Sequence, residues 1–563
     1  MKKSINVLIL FSFIGLTNQA KAQHSMLTLD EETYHLVDRF SILGDYKKQE
    51  SGLCTSIKPF SRQSVILYPE MPQFIYRKKR EFNRRVIENE TWDVLPDSLS
   101  RSLKINRNKW KNFYQFRGSF FSVDESDFKL VVNPVLAFEA GQSNGNNIVR
   151  NTRGAELRGS LNDKVGFYSF LSENQFIYPE YYDAQIDDRK VIPGAGLIKD
   201  FGNDGHDFFN VRGYITFKAN KFIDVQFGHD KNFIGNGYRS LIISDFAKEN
   251  LALKFHTKVW RFDYVNIFSE MSDFRSTGLN GLRKKYSAIH YLNFQIIPGK
   301  LEVGAFENVI FARNDANQQP GFDFNYLNPI IFYRAVEHGL NSTDNSVLGV
   351  DWKWNFANTF SFYGQALLDE FHKNELFGRT GSWVNKWGFQ SGLKWLNVAG
   401  VQYLDAQVEA NLVRPYVYSH FKTDQSWTHY NQSMAHPFGA NFKEYIGIVR
   451  YQVTPKLNLV AKYFNITHGA DSMTSGNTTH YGGNIFVDYN NRPKDLGIKI
   501  GDGVRQDIQL FDFQASYQFY HRTYVDFRYI YRDQKSELPL ESFTNSIVII
   551  GLRMNISSQR LDF

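Results

Sequence analysis

Segments of about ten residues in which apolar and polar side chains alternate constrain the fold of this chain most. The segment 347–356 places Leu348, Val350, Trp352 and Trp354 on one face, with polar residues or glycine between them. The same division recurs in two later segments, 511–519 and 525–532. Strands of soluble sandwiches also alternate but average about six residues, whereas about ten are needed to cross a bilayer when tilted. The pattern therefore predicts strands that cross a membrane.

The connections between the predicted strands alternate in length. Very short turns are predicted after every second strand, at 162–163, 220, 298–299, 355–358, 454–455 and 521–522. Long polar loops are predicted at approximately 140–151, 173–208, 230–250, 269–284, 311–345, 370–384, 414–442, 467–507 and 533–544. Short periplasmic turns and long extracellular loops are typical of outer-membrane barrels. The predicted location is the outer membrane of a Gram-negative bacterium.

The predicted fold is all-β, a transmembrane antiparallel barrel of about 18 strands, with 16 to 20 as the working range. The first strand is placed near residues 128–139 and the last near 545–556, which would return both termini to the periplasm. A barrel of this size is wide enough to hold water or a plug. Aromatic residues make up 16% of the chain, which suits lipid-facing surfaces and interfacial girdles but also the core of a large soluble β protein.

The N-terminal part differs from the rest of the chain. Residues 1–22 have the order of a secretory signal, with Lys2 and Lys3 before an apolar stretch and Ala20-Lys21-Ala22 before the cleavage point, although a buried helix is an alternative. Residues 23–115 are expected to form a mainly helical periplasmic region, with helices near 30–43 and 81–89, and residues 116–563 to form the barrel. The basic run 77–80 suits either lipid headgroups or solvent.

Composition excludes several classes of function. Cys54 is the single cysteine, so a disulfide framework and a cysteine-based metal site are excluded. Removal of residues 1–22 lowers the formal net charge from +7 by three, to +4, too small an excess to predict nucleic-acid binding. We expect no cofactor.

The loop after the predicted strand 222–227 is the first candidate site. Its glycines, Gly235 and Gly237, indicate a tight turn and not a phosphate cradle, because no helix follows a parallel strand. Its charged residues could form two pairs that pin the loop inside the barrel, or they could bind a ligand. The candidates in this loop are Asp230, Lys231, Asn232, Tyr238, Arg239 and Asp245.

The second candidate site is the loop 414–442. It mixes aromatic rings with amide, imidazole and guanidinium groups, which suits sugars because these present apolar C–H faces edged by hydroxyls. The candidates are Arg414, Tyr416, Tyr418, His420, Trp427, Tyr430, Asn431 and His436. The histidine spacing matches no standard metal motif, and no hydrolase motif of the Gly-x-Ser-x-Gly type accompanies Ser240 or Ser433. We predict neither a metal site nor a catalytic residue.

These loops also carry a family resemblance. The matching segments are 230–235, 237–240, Leu327-Asn328-Pro329, Arg414-Pro415-Tyr416, Ala435-His436-Pro437 and Gly439-Ala440-Asn441. In them the chain resembles Wzi-type capsule-assembly outer-membrane proteins, and within that group the gliding-motility RemB-type proteins of the Bacteroidetes. The resemblance implies an 18-stranded barrel that attaches surface polysaccharide in a lectin-like way, or serves in gliding machinery, without enzymatic activity.

The resulting hypothesis is an outer-membrane barrel whose extracellular loops bind capsular or surface polysaccharide. One alternative is a porin or substrate-specific channel, because Asp351, Lys353, Asp526 and Arg528 are predicted to face inward, although they could equally form a closed network. Another is a structural partner of surface adhesins or secretion machinery. The expected partners are outer-membrane lipid, polysaccharide, and gliding or secretion components, with no nucleic acid.

Overall fold

A computed structural model describes most of the chain. The described residues are 25–46, 53–66, 77–105, 112–162, 164–202, 204–273, 283–312, 321–329, 344–370, 375, 380–474 and 477–563. The predicted signal sequence, residues 1–22, lies outside the described residues.

Eighteen long strands among the described residues form a closed barrel in which every neighbouring pair is antiparallel. They are β1 (Phe128–Ser143), β2 (Asn146–Leu161), β3 (Val165–Ile177), β4 (Gly205–Lys218), β5 (Ile223–Asp230), β6 (Asn250–Val259), β7 (Phe262–Asp273), β8 (Arg283–Ile297), β9 (Leu301–Phe311), β10 (Asn345–Phe356), β11 (Phe360–Leu368), β12 (Trp387–Trp395), β13 (Leu404–Val413), β14 (Phe442–Gln452), β15 (Leu457–Ala470), β16 (Val504–Tyr520), β17 (Thr523–Ser536) and β18 (Phe543–Met554). Strand β18 pairs with β1 and closes the barrel. The predicted fold class and the count of 18 are confirmed.

The remaining elements are short. The α-helices of the described residues are α1 (Glu31–Leu43), α2 (Arg77–Glu90), α3 (Asp97–Leu103) and α4 (Glu180–Arg189). Short strands outside the set of eighteen are Ile57–Lys58, Phe121–Asp124, Lys199–Phe201, Phe233–Ile234, Thr428–His429, Gln432–Ser433, Ser472–Thr474 and Asn477–Thr479. Single 3-10 turns are Arg62–Val65, Trp92–Val94, Phe324–Leu327, Val398–Gly400, Thr423–Gln425, Tyr489–Asn491 and Pro539–Glu541. In the described part of the chain no helix has the length and apolarity to cross a membrane.

The alternation of side chains builds the barrel wall, as β10 illustrates. Asp351 points into the lumen, where its carboxylate accepts a hydrogen bond from the Tyr291 hydroxyl at 2.8 Å. On the other face, Val350 and Trp354 are 43% and 49% exposed. Apolar residues on the outward face are what a lipid-spanning barrel requires. The period-two pattern thus separates lumen from lipid as predicted.

The short turns lie at one end of the barrel, which faces the periplasm in outer-membrane proteins, and the long loops lie at the other. The predicted loop at 140–151 is wrong, because these residues extend β1 and β2, which are joined by residues 144–145. Polar side chains do not interrupt a hydrogen-bonded ladder, so strands continue beyond the apolar band. After β18 the chain also does not stay at the periplasmic rim as predicted, since the Leu561 carbonyl accepts a hydrogen bond from Tyr181 of α4 at 2.7 Å.

Helix α1 lies in the lumen against inward-facing residues of β13 to β15. Asp30 caps its first turn by accepting a hydrogen bond from the Thr33 backbone N–H, and Gly44 ends it in a left-handed conformation. Arg39 donates to Asp405, and Glu31 accepts from Lys462 at 2.6 Å. The two helices predicted near 30–43 and 81–89 are confirmed as α1 and α2. The boundary near residue 115 stays a prediction, and so does the periplasmic placement of the part of residues 23–115 that lies outside the lumen.

Candidate functional site

Several segments of the chain itself fill the lumen. We call them the plug; they are residues 25–46, 53–66, 231–249, 414–441 and 555–563. Leu241 and Trp427 of the plug belong to one buried apolar cluster with Val265 and Ile267 on the inward face of β7. The main hydrophobic core of the molecule therefore sits inside the barrel, between the plug and the wall.

The first candidate loop enters the lumen directly after β5. Asp230 accepts a hydrogen bond from the Gln226 amide at 2.9 Å, and Asn232 accepts one from Lys254 at 3.0 Å. The Lys231 ammonium donates to the carbonyls of Gly194 at 2.7 Å and Asp245 at 3.1 Å. Burial lowers the pKa of Lys231 to about 8. The start of this loop is thus fixed by contacts within the protein.

Arg239 is the centre of a buried charge cluster. Its guanidinium donates to Glu444 at 3.3 Å and lies 3.7 Å from the Asp562 carboxylate. The backbone N–H groups of Tyr238 and Arg239 donate to Glu409 at 2.7 and 3.1 Å. Burial alone would raise the pKa of Asp562, but Arg239, Lys462 and Arg560 lower it to about 2. The cluster ties loop 231–249 to the wall and to the C-terminal segment.

Asp245 joins the same two parts of the plug. Its carboxylate pairs with Arg560 at 2.7 Å. Burial opposes ionisation, yet Arg560 and Lys231 hold the pKa of Asp245 below its usual value. The sequence analysis expected two charge pairs among Asp230, Lys231, Arg239 and Asp245. In the structure Arg239 pairs with Glu444 on β14 and with Asp562, and Asp245 pairs with Arg560.

Loop 414–441 contributes the largest rings of the plug. Trp427 is 2% exposed and donates its indole N–H to the Ile242 carbonyl at 3.0 Å. Tyr418 is fully buried and donates to the Leu241 carbonyl at 2.6 Å. Tyr416 is 1% exposed and donates to the His480 carbonyl at 2.9 Å. These three rings organise the plug, and their faces are covered by protein.

The other candidates of this loop are divided between the interior and the surface. Arg414 donates to the carbonyls of Ser382 and Ile498, at 3.0 and 3.4 Å. Tyr430 and Asn431 are half-buried, and the Asn431 amide donates to the Arg189 carbonyl at 3.0 Å. Among the described candidate residues of this loop, Tyr430 is the one whose ring is partly open to solvent.

The three histidines of this loop are buried. Burial lowers the pKa of His429 to about 3 and that of His420 to about 4. His436 is 2.7 Å from Glu444, and burial still lowers the pKa of its imidazole. Among the described residues, no group of three histidine, cysteine or carboxylate side chains is placed to hold a metal ion.

The inward charges that suggested a channel are engaged with partners. Arg528 makes two hydrogen bonds with Asp512, at 2.8 and 2.7 Å. Asp526 accepts a hydrogen bond from Arg553 at 2.6 Å, and Lys353 lies 3.5 Å from Asp38 of α1. These contacts form the closed network that was the alternative to a conducting path.

A second group of aromatic rings lies at the extracellular mouth. We call it the rim cluster; it consists of Trp383, Lys386, Phe421, Tyr489 and Arg492. The ring centroids of Trp383 and Tyr489 are 4.8 Å apart, and the Arg492 guanidinium lies 3.9 Å from the Trp383 ring. The Lys386 ammonium lies 4.1 Å from the Tyr489 ring. Phe421 is 36% exposed and Trp383 half-buried, so part of this aromatic surface meets solvent.

The sequence analysis missed all five members of the rim cluster, including Phe421, which lies in a loop whose other rings were chosen. The members come from three loops, 369–386, 414–441 and 471–503, which are far apart in the chain. No linear motif connects them. Phe421 differs from Trp427 in the exposure of its ring, and this exposure is visible only in the folded protein.

No protein-family model and no curated protein sequence matches this chain. Its structure is similar to that of Wzi from Escherichia coli, an outer-membrane protein described as a carbohydrate-binding β-barrel involved in group 1 capsule assembly. The TM-score is 0.54 at 14% sequence identity, over 95% of this chain and 100% of Wzi.

Two other solved structures have lower structural similarity. OprD from Pseudomonas aeruginosa gives a TM-score of 0.41 at 10% identity, over 76% of this chain and 94% of that one. OccAB2 from Acinetobacter baumannii gives 0.41 at 11% identity, over 77% and 99%. Both scores are below 0.5, and no inference rests on them.

The likeness to Wzi extends over almost the whole of both chains. At this low identity it shows the fold alone, and it confirms the barrel that the family resemblance implied. A nearer relationship to the RemB-type proteins stays a prediction. The protein therefore has the fold of a Gram-negative outer-membrane β-barrel, similar to that of Wzi.

Proposed function

We propose that this protein attaches surface polysaccharide to the outer membrane, in a lectin-like way, and that the rim cluster is its sugar-binding site. The observation that carries the proposal is a partly exposed aromatic and cationic cluster at the mouth of a barrel whose lumen is filled. The carbohydrate binding described for Wzi, a protein of the same fold, supports it. The proposal assigns no catalytic residue.

The rim cluster has the chemistry that a sugar ring requires. The C–H face of a pyranose packs on Trp383 and Phe421, and hydroxyl groups at its edge accept hydrogen bonds from Arg492. Arg492 is held in place because it donates to the Tyr489 carbonyl at 3.1 Å and to Asp495 at 2.6 Å. Each contact is weak, but repeated units of a polymer multiply the binding.

The plug favours attachment over diffusion through the barrel. A channel needs a continuous aqueous path, whereas the plug buries Trp427, Tyr418 and Leu241 in the lumen. In a planar bilayer we expect the protein to pass little current, without the stable open steps of a porin. Stable steps would replace the attachment proposal with a channel.

The direct test is a double substitution, Trp383→Ala with Phe421→Ala, in the native host. We expect more polysaccharide in the medium and less on the cells, with unchanged barrel abundance in the outer membrane. The matched control is Phe201→Ala, which removes a 42% exposed ring from another loop. Unchanged retention in the double variant would overturn the proposal.

Colony spreading of the same strains addresses the gliding role that the resemblance implied. If the variant sheds polysaccharide and still spreads, the protein serves retention alone. If it retains polysaccharide but no longer spreads, a motility component is the better description and the rim cluster is its contact site.

A further inference from the structure

Arg212 on β4 is a cation of the barrel wall that points into the lumen. Two residues further along the strand, the Tyr214 hydroxyl accepts a hydrogen bond from the backbone N–H of Met26 in the plug at 3.0 Å. Side chains two positions apart in a strand share a face, so Arg212 faces the lumen as well. Its guanidinium lies 4.5 Å from the centre of the Phe170 ring on β3. It forms no hydrogen bond or ion pair with any residue that the structure describes.

Arg212 borders a cavity of about 200 Å³ between the wall and the plug. Strands β2 to β4 line one side of the cavity, and plug segments 231–249 and 555–563 line the other. The lining side chains that carry charge are mostly cationic. The cations are Arg150, Arg212, Lys231, Arg522 and Arg560, and the anions are Asp245 and Glu249.

The two carboxylates of the cavity already have cationic partners. Asp245 pairs with Arg560 at 2.7 Å, and Glu249 pairs with Lys248 at 3.0 Å. Glu249 also acts electrostatically on Arg212, but from beyond ion-pair distance. These carboxylates therefore do not supply Arg212 with a bound counter-charge.

Two of the cations lack a carboxylate partner. Arg150 and Arg522 pair with carboxylates outside the cavity, at 2.8 and 3.4 Å. Lys231 donates to two backbone carbonyls and, like Arg212, is in no ion pair within the described part of the chain. Because uncompensated charge away from bulk water is costly, an anion between these two cations would be stabilising.

The cations of the wall and of the plug act on one another. Burial lowers the pKa of Lys231 to about 8, and the positive charges of Arg212 and Arg560 act in the same direction, although two carboxylates oppose them. Packing of the guanidinium face of Arg212 on an aromatic ring leaves its N–H edge open for two parallel hydrogen bonds. Planar recognition of this kind suits the oxygens of a carboxylate or a phosphate.

The cavity continues toward the periplasmic end of the barrel. It shares Asp245, Arg560 and residues 557–558 with a second cavity of about 170 Å³. The second cavity reaches Gln518 near the end of β16 and Asn458 near the start of β15. This continuity gives a small solute a route from the periplasm.

Residues 192–195 cover the extracellular side of the cavity. The Lys231 ammonium donates to the Gly194 carbonyl at 2.7 Å, and the Gly194 N–H donates to the Gln432 side chain at 2.7 Å. The Ala195 carbonyl accepts a hydrogen bond from the same Gln432 amide at 2.9 Å. A polysaccharide chain at the mouth is thus kept out of the cavity.

We propose that this cavity binds a small oxyanion, a phosphate or a carboxylate, between Arg212 on the wall and Lys231 on the plug. Lys231 uses two of its N–H groups for carbonyls, and the third is available to the anion. The charge of Arg560 adds to the attraction. The bound anion joins the plug to the wall. Its site shares no residue with the rim cluster, and its binding is independent of sugar attachment.

Titration calorimetry of the full-length protein in detergent, with inorganic phosphate in a Tris chloride buffer, tests the site. We expect one phosphate per chain. Arg212→Met should weaken binding about tenfold or more, because a hydrogen-bonded charge is lost. Arg212→Lys, which keeps the charge but not the two parallel hydrogen bonds, should be intermediate. The matched control is Arg153→Met on the neighbouring β2, whose side chain pairs with Glu173 on the outer face and should leave the affinity unchanged.

Urea unfolding provides an independent readout. Phosphate should raise the urea midpoint of the wild type, because it binds the folded state, and should raise that of Arg212→Met much less. A parallel titration with acetate identifies the ligand class, since tighter binding of phosphate indicates a free phosphate and tighter binding of acetate a carboxylate. If Arg212→Met does not assemble, Arg212→Lys carries the comparison. Binding of neither anion at millimolar concentration, or equal affinity in the wild type and the Arg212 variants, would overturn the proposal.

Discussion

Two aromatic groups from the extracellular loops have opposite surroundings. In loop 414–441, the rings of Tyr416, Tyr418 and Trp427 are almost fully buried, and each donates a hydrogen bond to a carbonyl of another loop. In the rim cluster, Trp383 is half-buried and Phe421 is 36% exposed. The first group stabilises the plug, and the second has surface left for a ligand.

The difference shows that aromatic and amide composition alone does not distinguish a binding loop from a plug. Both need rings with hydrogen-bonding groups nearby, because rings inside a lumen must be packed and rings at its mouth must contact a polar ligand. What distinguishes the two groups is whether the protein covers the faces of the rings, as it does for Trp427 and does not fully do for Phe421. Substitutions should therefore reduce stability in the plug and sugar retention at the rim.

The largest effect is expected at Arg239, the centre of the charge cluster in the plug. Arg239→Met removes the guanidinium that lies between the buried carboxylates of Glu444 and Asp562, which should lower the free energy of unfolding by about 3–5 kcal/mol. Urea unfolding in detergent micelles measures the change. The control is Arg153→Met on the outer face, whose pair with Glu173 is half-exposed and should contribute under about 1 kcal/mol. Equal effects would mean that the cluster does not fix the plug.

Trp427→Ala should lower the free energy of unfolding by about 3 kcal/mol, because it leaves a cavity in the plug core. Phe421→Ala, six residues earlier in the same loop, should change it by much less, since its ring is partly in solvent. The same urea midpoints compare the two. Loss of polysaccharide from Trp427→Ala cells at normal barrel stability would contradict the assignment of this ring to the plug.

Much of the barrel could be predicted because the alternation of apolar and polar side chains is visible within each strand's own sequence. Alternation along each strand is imposed by lipid on one side and lumen on the other, so the last strand, predicted near 545–556, is found at Phe543–Met554. Strand ends such as 140–151 were missed because they lie beyond the apolar band, where alternation is not required.

The candidate site was less predictable because burial of a loop residue depends on contacts distant in sequence. Tyr418 is covered by a loop about 180 residues away, through its hydrogen bond with Leu241. Nothing in the sequence around Trp427 and Phe421 indicates that the first ring is buried and the second partly exposed.

The buried histidines of the plug should make its stability depend on pH. The folded pKa of His429 is about 3 and that of His420 about 4, against about 6.5 for an unfolded histidine. Below pH 6.5 the unfolded chain binds protons that the folded chain does not, so stability falls as the pH is lowered toward 4, by up to about 1.4 kcal/mol per pH unit for each histidine.

A substitution assigns this pH dependence to the plug. The His429 Nδ1 accepts a hydrogen bond from the Ser272 N–H at 3.0 Å, a role that an amide can also fill. In His429→Asn, urea midpoints between pH 6.5 and 4.5 should decline less steeply than in the wild type. Trp383→Ala in the rim cluster should keep the wild-type slope. Identical slopes in wild type and His429→Asn would place the titrating groups elsewhere.

The smallest effect is expected at Tyr430, the one sequence-predicted ring of loop 414–441 that is partly open to solvent. Its ring lies 5.5 Å from the Lys248 ammonium, and its backbone N–H donates to Ser272 at 3.2 Å. Tyr430→Ala keeps the backbone contact, so the free energy of unfolding should fall by less than about 1 kcal/mol. Polysaccharide retention should also fall less than in the Trp383 and Phe421 double variant. A larger loss at Tyr430 would move the binding surface from the rim cluster toward the α4 side of the mouth, where Asn431 contacts Arg189.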